Sequence, residues 1–328
     1  MLLLSREDIK EVFTMQDAIE VVKKAFCLVV EGKCDIPLRT NIQAKKHDGC
    51  FLFMPAYAKE LDAASLKVIN IFPHNIDNGL PTSPAQVFLI DGKTGMMSAV
   101  LDGTYVTQLR TGAATGAAFD VLANNDCRIG ALIGTGGQAP TQIEAMLAAR
   151  KLEEVRVYDL NDERTKEFAD RMQKELGSYG ARIAAVSSAD AAIEDADLVV
   201  TVTPSIKPVF DGTKIKNGAT VSCVGAYQPH MQELDPAVLP RASKIYFDSA
   251  EAVLSESGDM LIPLEKGIIT KEDFTGDLGD VLLGNIKGRE SDDEIIIFET
   301  VGVAAQDLVT AKVIYEKAVA AGAGYRWK

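Results

Sequence analysis

Apolar residues recur at helical spacing near the start of the chain. Ile9, Val12 and Phe13, then Ala18, Val21, Val22, Ala25, Phe26 and Val29, predict a helix pair or one bent helix over residues 5–31. Residues 36–56 and 64–72 read as strands, with polar breaks at Lys45-Lys46-His47-Asp48-Gly49 and Lys59-Glu60. A hairpin is predicted where Val87-Phe88-Leu89-Ile90 meets Asp91-Gly92-Lys93-Thr94-Gly95 and a second apolar run over 96–100, because Asp-Gly favours a tight turn. Residues 103–123 are small and helix-compatible, and they lead to the polar break Asn124-Asn125-Asp126.

Beyond that break the pattern changes. Strand-like runs at 129–133, 155–158, 181–186, 198–202, 221–224 and 244–247 alternate with helical stretches at 138–151, 161–176 and 189–194. Such alternation predicts a parallel sheet with helices on both faces. A final helix at about 302–320 follows the apolar run Ile295-Ile296-Ile297-Phe298, and its place after the sheet suggests a return to the N-terminal domain. The expected organisation is therefore α/β. A Rossmann-type doubly wound parallel sheet occupies 126–301, and a strand-rich α+β domain occupies 1–125, completed by the C-terminal helix at about 302–328.

Composition narrows the classes of function. With 34 Lys+Arg against 47 Asp+Glu the net charge is −13, which argues against a nucleic-acid surface. An apolar content of 47% and a charged content of 25% exclude low-complexity disorder. No apolar run reaches the roughly 18–20 residues that span a bilayer. The start, Met1-Leu2-Leu3-Leu4-Ser5-Arg6, lacks the basic and apolar regions of a signal peptide. Five scattered cysteines predict reduced thiols and a cytoplasmic protein. His47, His74 and His230 stand far apart, so no metal site is expected.

Gly134-Thr135-Gly136-Gly137-Gln138-Ala139 fits G-x-G-x-x-G/A directly after a predicted strand and at the start of a predicted helix. In that context Gly134 allows the tight turn, Gly136 lets the backbone approach a pyrophosphate, and Ala139 permits close helix–strand packing. The helix start offers N–H groups and a positive dipole end to phosphates. Asp159, 20 residues after Ala139, is placed to accept bonds from the adenosine ribose. Its charge disfavours a 2′-phosphate, so NAD(H) is expected over NADP(H), with Arg164 close enough in sequence to leave NADP(H) possible. The segment Asp91-Gly92-Lys93-Thr94-Gly95 is no phosphate loop, because Val87 stands where that pattern needs glycine.

Three cations occupy unusual surroundings. Lys67 lies in Ser65-Leu66-Lys67-Val68-Ile69, Arg110 precedes a run of small residues, and Arg39 lies between Leu38 and Thr40 in an apparent strand. Each alone reads as a snorkelling surface cation. Together they suit an α-carboxylate, with arginine binding it bidentately and a desolvated lysine polarising an imine or exchanging its proton.

Arg39, Lys67, Arg110-Thr111-Gly112-Ala113-Ala114-Thr115, the Gly134 turn and Pro229-His230-Met231-Gln232-Glu233-Leu234-Asp235 resemble, in order and spacing, the ornithine cyclodeaminase/mu-crystallin family. Gly276-Asp277-Leu278-Gly279-Asp280 and the stretch from Thr300 to Leu308 also look like that family. The resemblance implies a homodimer joined through the N-terminal domain, with Arg39 and Lys67 on the substrate. It implies that Thr82, Arg110, Gly137, Gln138, Asp159, Thr203, Val224 and Thr300 lie near the dinucleotide or line the space beside it.

The chain departs from the cyclodeaminase pattern at Gly225-Ala226-Tyr227-Gln228-Pro229, where Tyr227 replaces a catalytic aspartate. A phenol with pKa near 10 is a poor base at neutral pH. His230 offers an imidazole three residues on, more readily explained as a surface residue on the Pro229 turn. The leading expectation is NAD(P)-dependent reduction of a C=N bond next to a carboxylate, such as pyrroline-2-carboxylate, with Lys67 the catalytic cation and Arg39, Arg110 and Tyr227 on the small imino- or amino-acid substrate. Amino-acid dehydrogenation stands close behind. Ornithine cyclodeamination and a non-catalytic ligand-binding protein are the alternatives.

Overall fold

Two capping boxes decide how the chain begins. Ser5 N–H donates to Asp8 Oδ2 at 2.9 Å while Asp8 N–H donates to Ser5 Oγ at 3.2 Å, and Thr14 and Asp17 repeat the arrangement at 3.0 and 3.2 Å. Each box starts a helix, so the apolar pattern becomes a pair, α1 (Arg6–Val12) and α2 (Met15–Val30), rather than one bent helix. The computed structural model describes residues 1–328, the side chain of Ile76 excepted. It divides into two units, Met1–Arg110 with Val303–Lys328, and Thr111–Gly302.

The first unit is built on one sheet. Its strands are β1 (Leu2–Leu4), β2 (Cys34–Asp35), β3 (Thr40–Ala44), β4 (Gly49–Ala58), β5 (Ala63–Ile71), β6 (Ala85–Asp91) and β7 (Met97–Asp102). β4, β5, β6 and β7 pair antiparallel in sequence order, β2 and β3 both pair with β4, and β1 lies parallel to β7. The expected hairpin is β6–β7, with Asp91 Oδ1 accepting from the N–H groups of Lys93 and Thr94 and Gly95 at φ 71°. The run 36–56 divides, because Asp48 at φ 53° reverses the chain between β3 and β4. Arg39 lies just before β3, outside any strand.

The C-terminal helix, Ala304–Ala321, belongs to this unit and packs on α2, β4 and β5. Ala25 and Leu28 of α2 meet its Val309, and Asp17 pairs with its Lys317 at 2.7 Å. The last strand, Tyr325–Arg326, pairs antiparallel with β1.

The second unit holds β8 (Ile129–Ile133), β9 (Glu154–Tyr158), β10 (Arg182–Ala185), β11 (Leu198–Thr201), β12 (Thr220–Cys223), β13 (Lys244–Phe247), β14 (Gly276–Asp277) and β15 (Ile296–Glu299). All its pairings are parallel, in the order β10-β9-β8-β11-β12-β15-β13-β14. The order reverses between β8 and β11, the switch point at which doubly wound sheets bind ligands. β15 is the apolar run before the last helix; every residue of it is buried, as befits a strand flanked on both edges and both faces.

Helix α3 (Gly103–Leu122) runs unbroken, and the division between the units falls within it at Arg110 and Thr111, not at the Asn124–Asp126 break. Helices α4 (Ala139–Ala149) and α5 (Asp162–Leu176) follow β8 and β9. Among the described residues no helix is long and apolar enough to cross a membrane.

The α2 cap offers a direct test. Thr14→Ala removes the hydroxyl that holds Asp17 N–H and should lower the unfolding free energy by about 1 kcal/mol, while Thr14→Ser should retain most of it. Urea unfolding of the three proteins measures the difference.

Candidate active site

The glycine turn begins where β8 ends. Gly134 has φ 107°, and a Cβ there would lie 2.6 Å from the Val202 carbonyl oxygen, so glycine is required by the fold itself. Its N–H donates to the Tyr158 carbonyl at 2.8 Å. Gly136 and Gly137 are exposed, and a Cβ on Gly136 would meet no atom within 4 Å, so the space above this turn is open. Gln138 stands at the N-cap of α4 without a side-chain capping bond, and its Oε1 is buried without a hydrogen-bond partner. An uncapped helix start and an open turn fit a dinucleotide pyrophosphate.

Asp159 follows β9 and is tied to the same turn. Its Oδ2 accepts from Thr135 N–H at 2.9 Å and from Thr135 Oγ1 at 2.7 Å, and its Oδ1 accepts from Arg164 Nη2 at 2.5 Å. Burial pushes the carboxyl up, but the bonds from Thr135 and Arg164 outweigh it and hold the group below its ordinary value. Asp159 is thus a fixed anion beside the glycine turn.

Further implied residues gather at the carboxyl ends of the strands. Thr203 follows β11, Val224 follows β12 and Thr300 follows β15. Glu233, for which the sequence pattern alone suggests no role, joins two of these loops: its Oε1 accepts from Thr203 N–H at 2.5 Å and its Oε2 from Gly225 N–H at 2.6 Å. Thr300 Oγ1 donates to Asp248 Oδ2 at 2.6 Å. Tyr227 lies half-buried in the loop after β12, and His230 is exposed on the following turn. Thr82 lies on an exposed bend of the first unit.

Behind the loops sits a buried acidic group. Asp259 Oδ1 accepts from the N–H groups of Glu233 and Leu234 at 2.7 and 2.8 Å, and Glu299 Oε1 accepts from Ser257 Oγ at 2.7 Å. Cys223 Sγ and one oxygen each of Asp259 and Glu299 lie within 4.8 Å of one another. Burial, reinforced by the charge of Asp259, raises Glu233 to about 8 and places Glu299 well above its ordinary value; burial raises Asp259 to about 7. Protonation therefore offers these buried acids a neutral state.

The cations of the first unit form a second buried centre. Lys67 is fully buried on β5, and its Nζ lies 2.6 Å from Asp307 Oδ2. Arg110, on α3, is buried; its Nε donates to Asp307 Oδ1 at 3.2 Å and its Nη1 to Gln306 Oε1 at 3.3 Å. Burial lowers Lys67 to about 7, aided by the positive charges of Arg110 and Arg39 and opposed by Asp307. Arg39 is half-buried, close enough for its charge to be felt there. Asp307 has no role that the sequence pattern alone discloses. Two cations among apolar neighbours require an anion, which is the signal that points to one.

Such a division of tasks is that of nicotinamide-dependent oxidoreductases whose substrates carry a carboxylate. The chain belongs to the ornithine cyclodeaminase/mu-crystallin family, whose model matches residues 1–322. It is 40% identical to the Delta(1)-pyrroline-2-carboxylate reductase of Thermococcus litoralis, solved in complex with NADH and L-proline, with a TM-score of 0.95 and 100% of each chain covered. An archaeal alanine dehydrogenase dimer with bound NAD is 36% identical, with a TM-score of 0.90 over 100% of this chain and 99% of that one. A Delta(1)-pyrroline-2-carboxylate reductase of Bacillus cereus is 36% identical over 326 residues, 99% of each chain.

The acidic group makes a prediction about stability. A carboxyl whose folded pKa is raised binds its proton more tightly when folded, so stability falls as pH climbs from the unfolded value near 4 toward the folded value. Between pH 5 and about 8, the range set by Asp259 and Glu233, the melting temperature should therefore decline. Glu299→Gln, which keeps the shape of the protonated acid, should flatten that decline, as thermal melts across the range will show.

Proposed function

We propose that the chain is an NAD(H)-dependent reductase of cyclic ketimines bearing a carboxylate, with Delta(1)-pyrroline-2-carboxylate as substrate and L-proline as product. The observation that carries the reading is the buried Lys67 ammonium, lowered to about 7 and held beside Arg110. Reduction of an imine needs one hydride at carbon and one proton at nitrogen. The nicotinamide cofactor supplies the hydride when bound. Gly134 to Gln138 hold its pyrophosphate and Asp159 its adenosine ribose, and the Asp159 charge favours NAD(H) while the paired Arg164 tempers the exclusion of NADP(H).

Lys67 Nζ gives the proton to the ring nitrogen. Arg110 has Nε and Nη1 engaged by Asp307 and Gln306, which leaves Nη2 for the substrate carboxylate, with Arg39 as the second cation. Tyr227 brings a phenol where cyclodeamination calls for a carboxylate, so ornithine is not the substrate. The likeness to alanine dehydrogenase favours a second reading, reductive amination of an oxo acid with ammonia, which would use the same cations.

Two further features belong to this proposal. Ile42, Phe51 and Tyr57, on β3 and β4, are 53%, 37% and 37% exposed, and Ile42 stands opposite Phe51 in the register. An apolar sheet face of this kind suits a homodimer joined through the first unit. All five cysteines are free, which suits a cytoplasmic protein.

Purified protein should oxidise NADH with Delta(1)-pyrroline-2-carboxylate, more efficiently than with pyruvate plus ammonia, and should form no proline from ornithine. Lys67→Met should lower kcat by about 10²–10⁴-fold while leaving the Kd for NADH, read by nicotinamide fluorescence, near that of the parent protein. Near-normal turnover in Lys67→Met, or faster oxidation with the oxo acid than with the imine, would overturn the reading.

A further inference from the structure

The C-terminal helix brings one carboxylate to two cations. Asp307 lies in the first turn of Ala304–Ala321, where the helix dipole favours negative charge. Its Oδ2 faces Lys67 Nζ at 2.6 Å and its Oδ1 accepts from Arg110 Nε at 3.2 Å, with the Asp307 side chain fully buried. Gln306 closes the arrangement: its Oε1 accepts from Arg110 Nη1 and, at 2.9 Å, from Val303 N–H, and its Nε2 donates to the Arg110 carbonyl at 3.5 Å. The residues opposite Lys67 on β4 and β6 are Met54 and Val87, both uncharged. The charges that act on Lys67 are Arg110, Asp307 and, more weakly, Arg39.

We propose that Asp307 is the positioning residue of the reaction: its carboxylate keeps Lys67 in the ammonium form that delivers the proton, and fixes Arg110 with Nη2 left for the substrate carboxylate. The inference rests on the assignment of Lys67 as proton donor. A buried ammonium between aliphatic strands and a guanidinium would otherwise shed its proton, since both desolvation and like charge disfavour it. Lys67, Arg110 and Asp307 together carry one net positive charge, to which Arg39 adds. A bound carboxylate offsets part of this excess, so the centre favours an anionic substrate.

The experiment compares pH profiles of kcat/KM for imine reduction. The parent protein should lose activity on the alkaline side as Lys67 gives up its proton. Asp307→Asn keeps the size of the side chain and removes its charge, so this limb should move to lower pH by about one unit or more, equivalent to about a tenfold loss above the limb. Activity should recover on acidification, and the Kd for NADH should be unchanged. Asp307→Glu, which restores the charge, should return the limb toward its original position.

Should Asp307→Asn not fold, Asp307→Ser removes the charge with a smaller side chain and carries the same test, with the limb again moving to lower pH. A limb that stays in place in a folded variant lacking the charge, with activity lowered equally at every pH, would mark Asp307 as merely structural and overturn the proposal. Lys67→Met separates the two levels of the argument. If it keeps the alkaline limb, the proton-donor reading fails; if it abolishes the limb while the Asp307 variants leave it unmoved, only this inference fails.

Discussion

The structure of the first unit depends on a single carboxylate placed between two buried cations. Removing Lys67 and Arg110 from water carries a desolvation cost that only a well-aligned anion offsets. That anion, Asp307, arrives from the far end of the chain on a helix packed against α2, β4 and β5. The return of this helix is thus both a packing solution and an electrostatic requirement. The lysine that results is unlike a surface lysine: burial and a neighbouring guanidinium lower it to about 7, and the carboxylate opposes them.

The second unit solves a different problem with backbone groups. A parallel sheet places its loops at the carboxyl ends of the strands, where the turn after β8 leads into α4 without a side-chain cap. Buried acids then hold the neighbouring loops. Glu233 bonds the backbone of Thr203 and Gly225, and Asp259 bonds the backbone of Glu233 itself, so each acid fixes the segment in front of it. Both acids are fully buried, and that burial raises their proton affinities.

Much of this is legible in the sequence, for identifiable reasons. The second unit alternates strand and helix with strong apolar periodicity, and the glycine turn sits where a strand gives way to a helix, so local signals and global fold agree. β15 escapes a strand assignment because a strand buried on both faces reads as a plain apolar run. The pairing of Leu2–Leu4 with Tyr325–Arg326 escapes too, because two short segments at opposite ends of a chain carry no local sign of one another. Arg39 reads as part of a strand on the character of its neighbours, yet it falls outside any ladder. Lys67 and Arg110 stand out because cations are rare among such neighbours. Asp307 does not, because an aspartate in the first turn of a helix is ordinary there; its role comes from the tertiary contact.

The central claim is that Lys67 titrates near neutrality inside this charge cluster, and it can be observed without turnover. Protein labelled with ¹⁵N at the lysine side chains, followed by NMR from about pH 5 to 11, would show one amine titrating near 7 that is absent from Lys67→Met. If the Lys67 signal instead titrates near the value of a free lysine, about 10, the buried ammonium is not poised to exchange its proton and the account of the site is wrong.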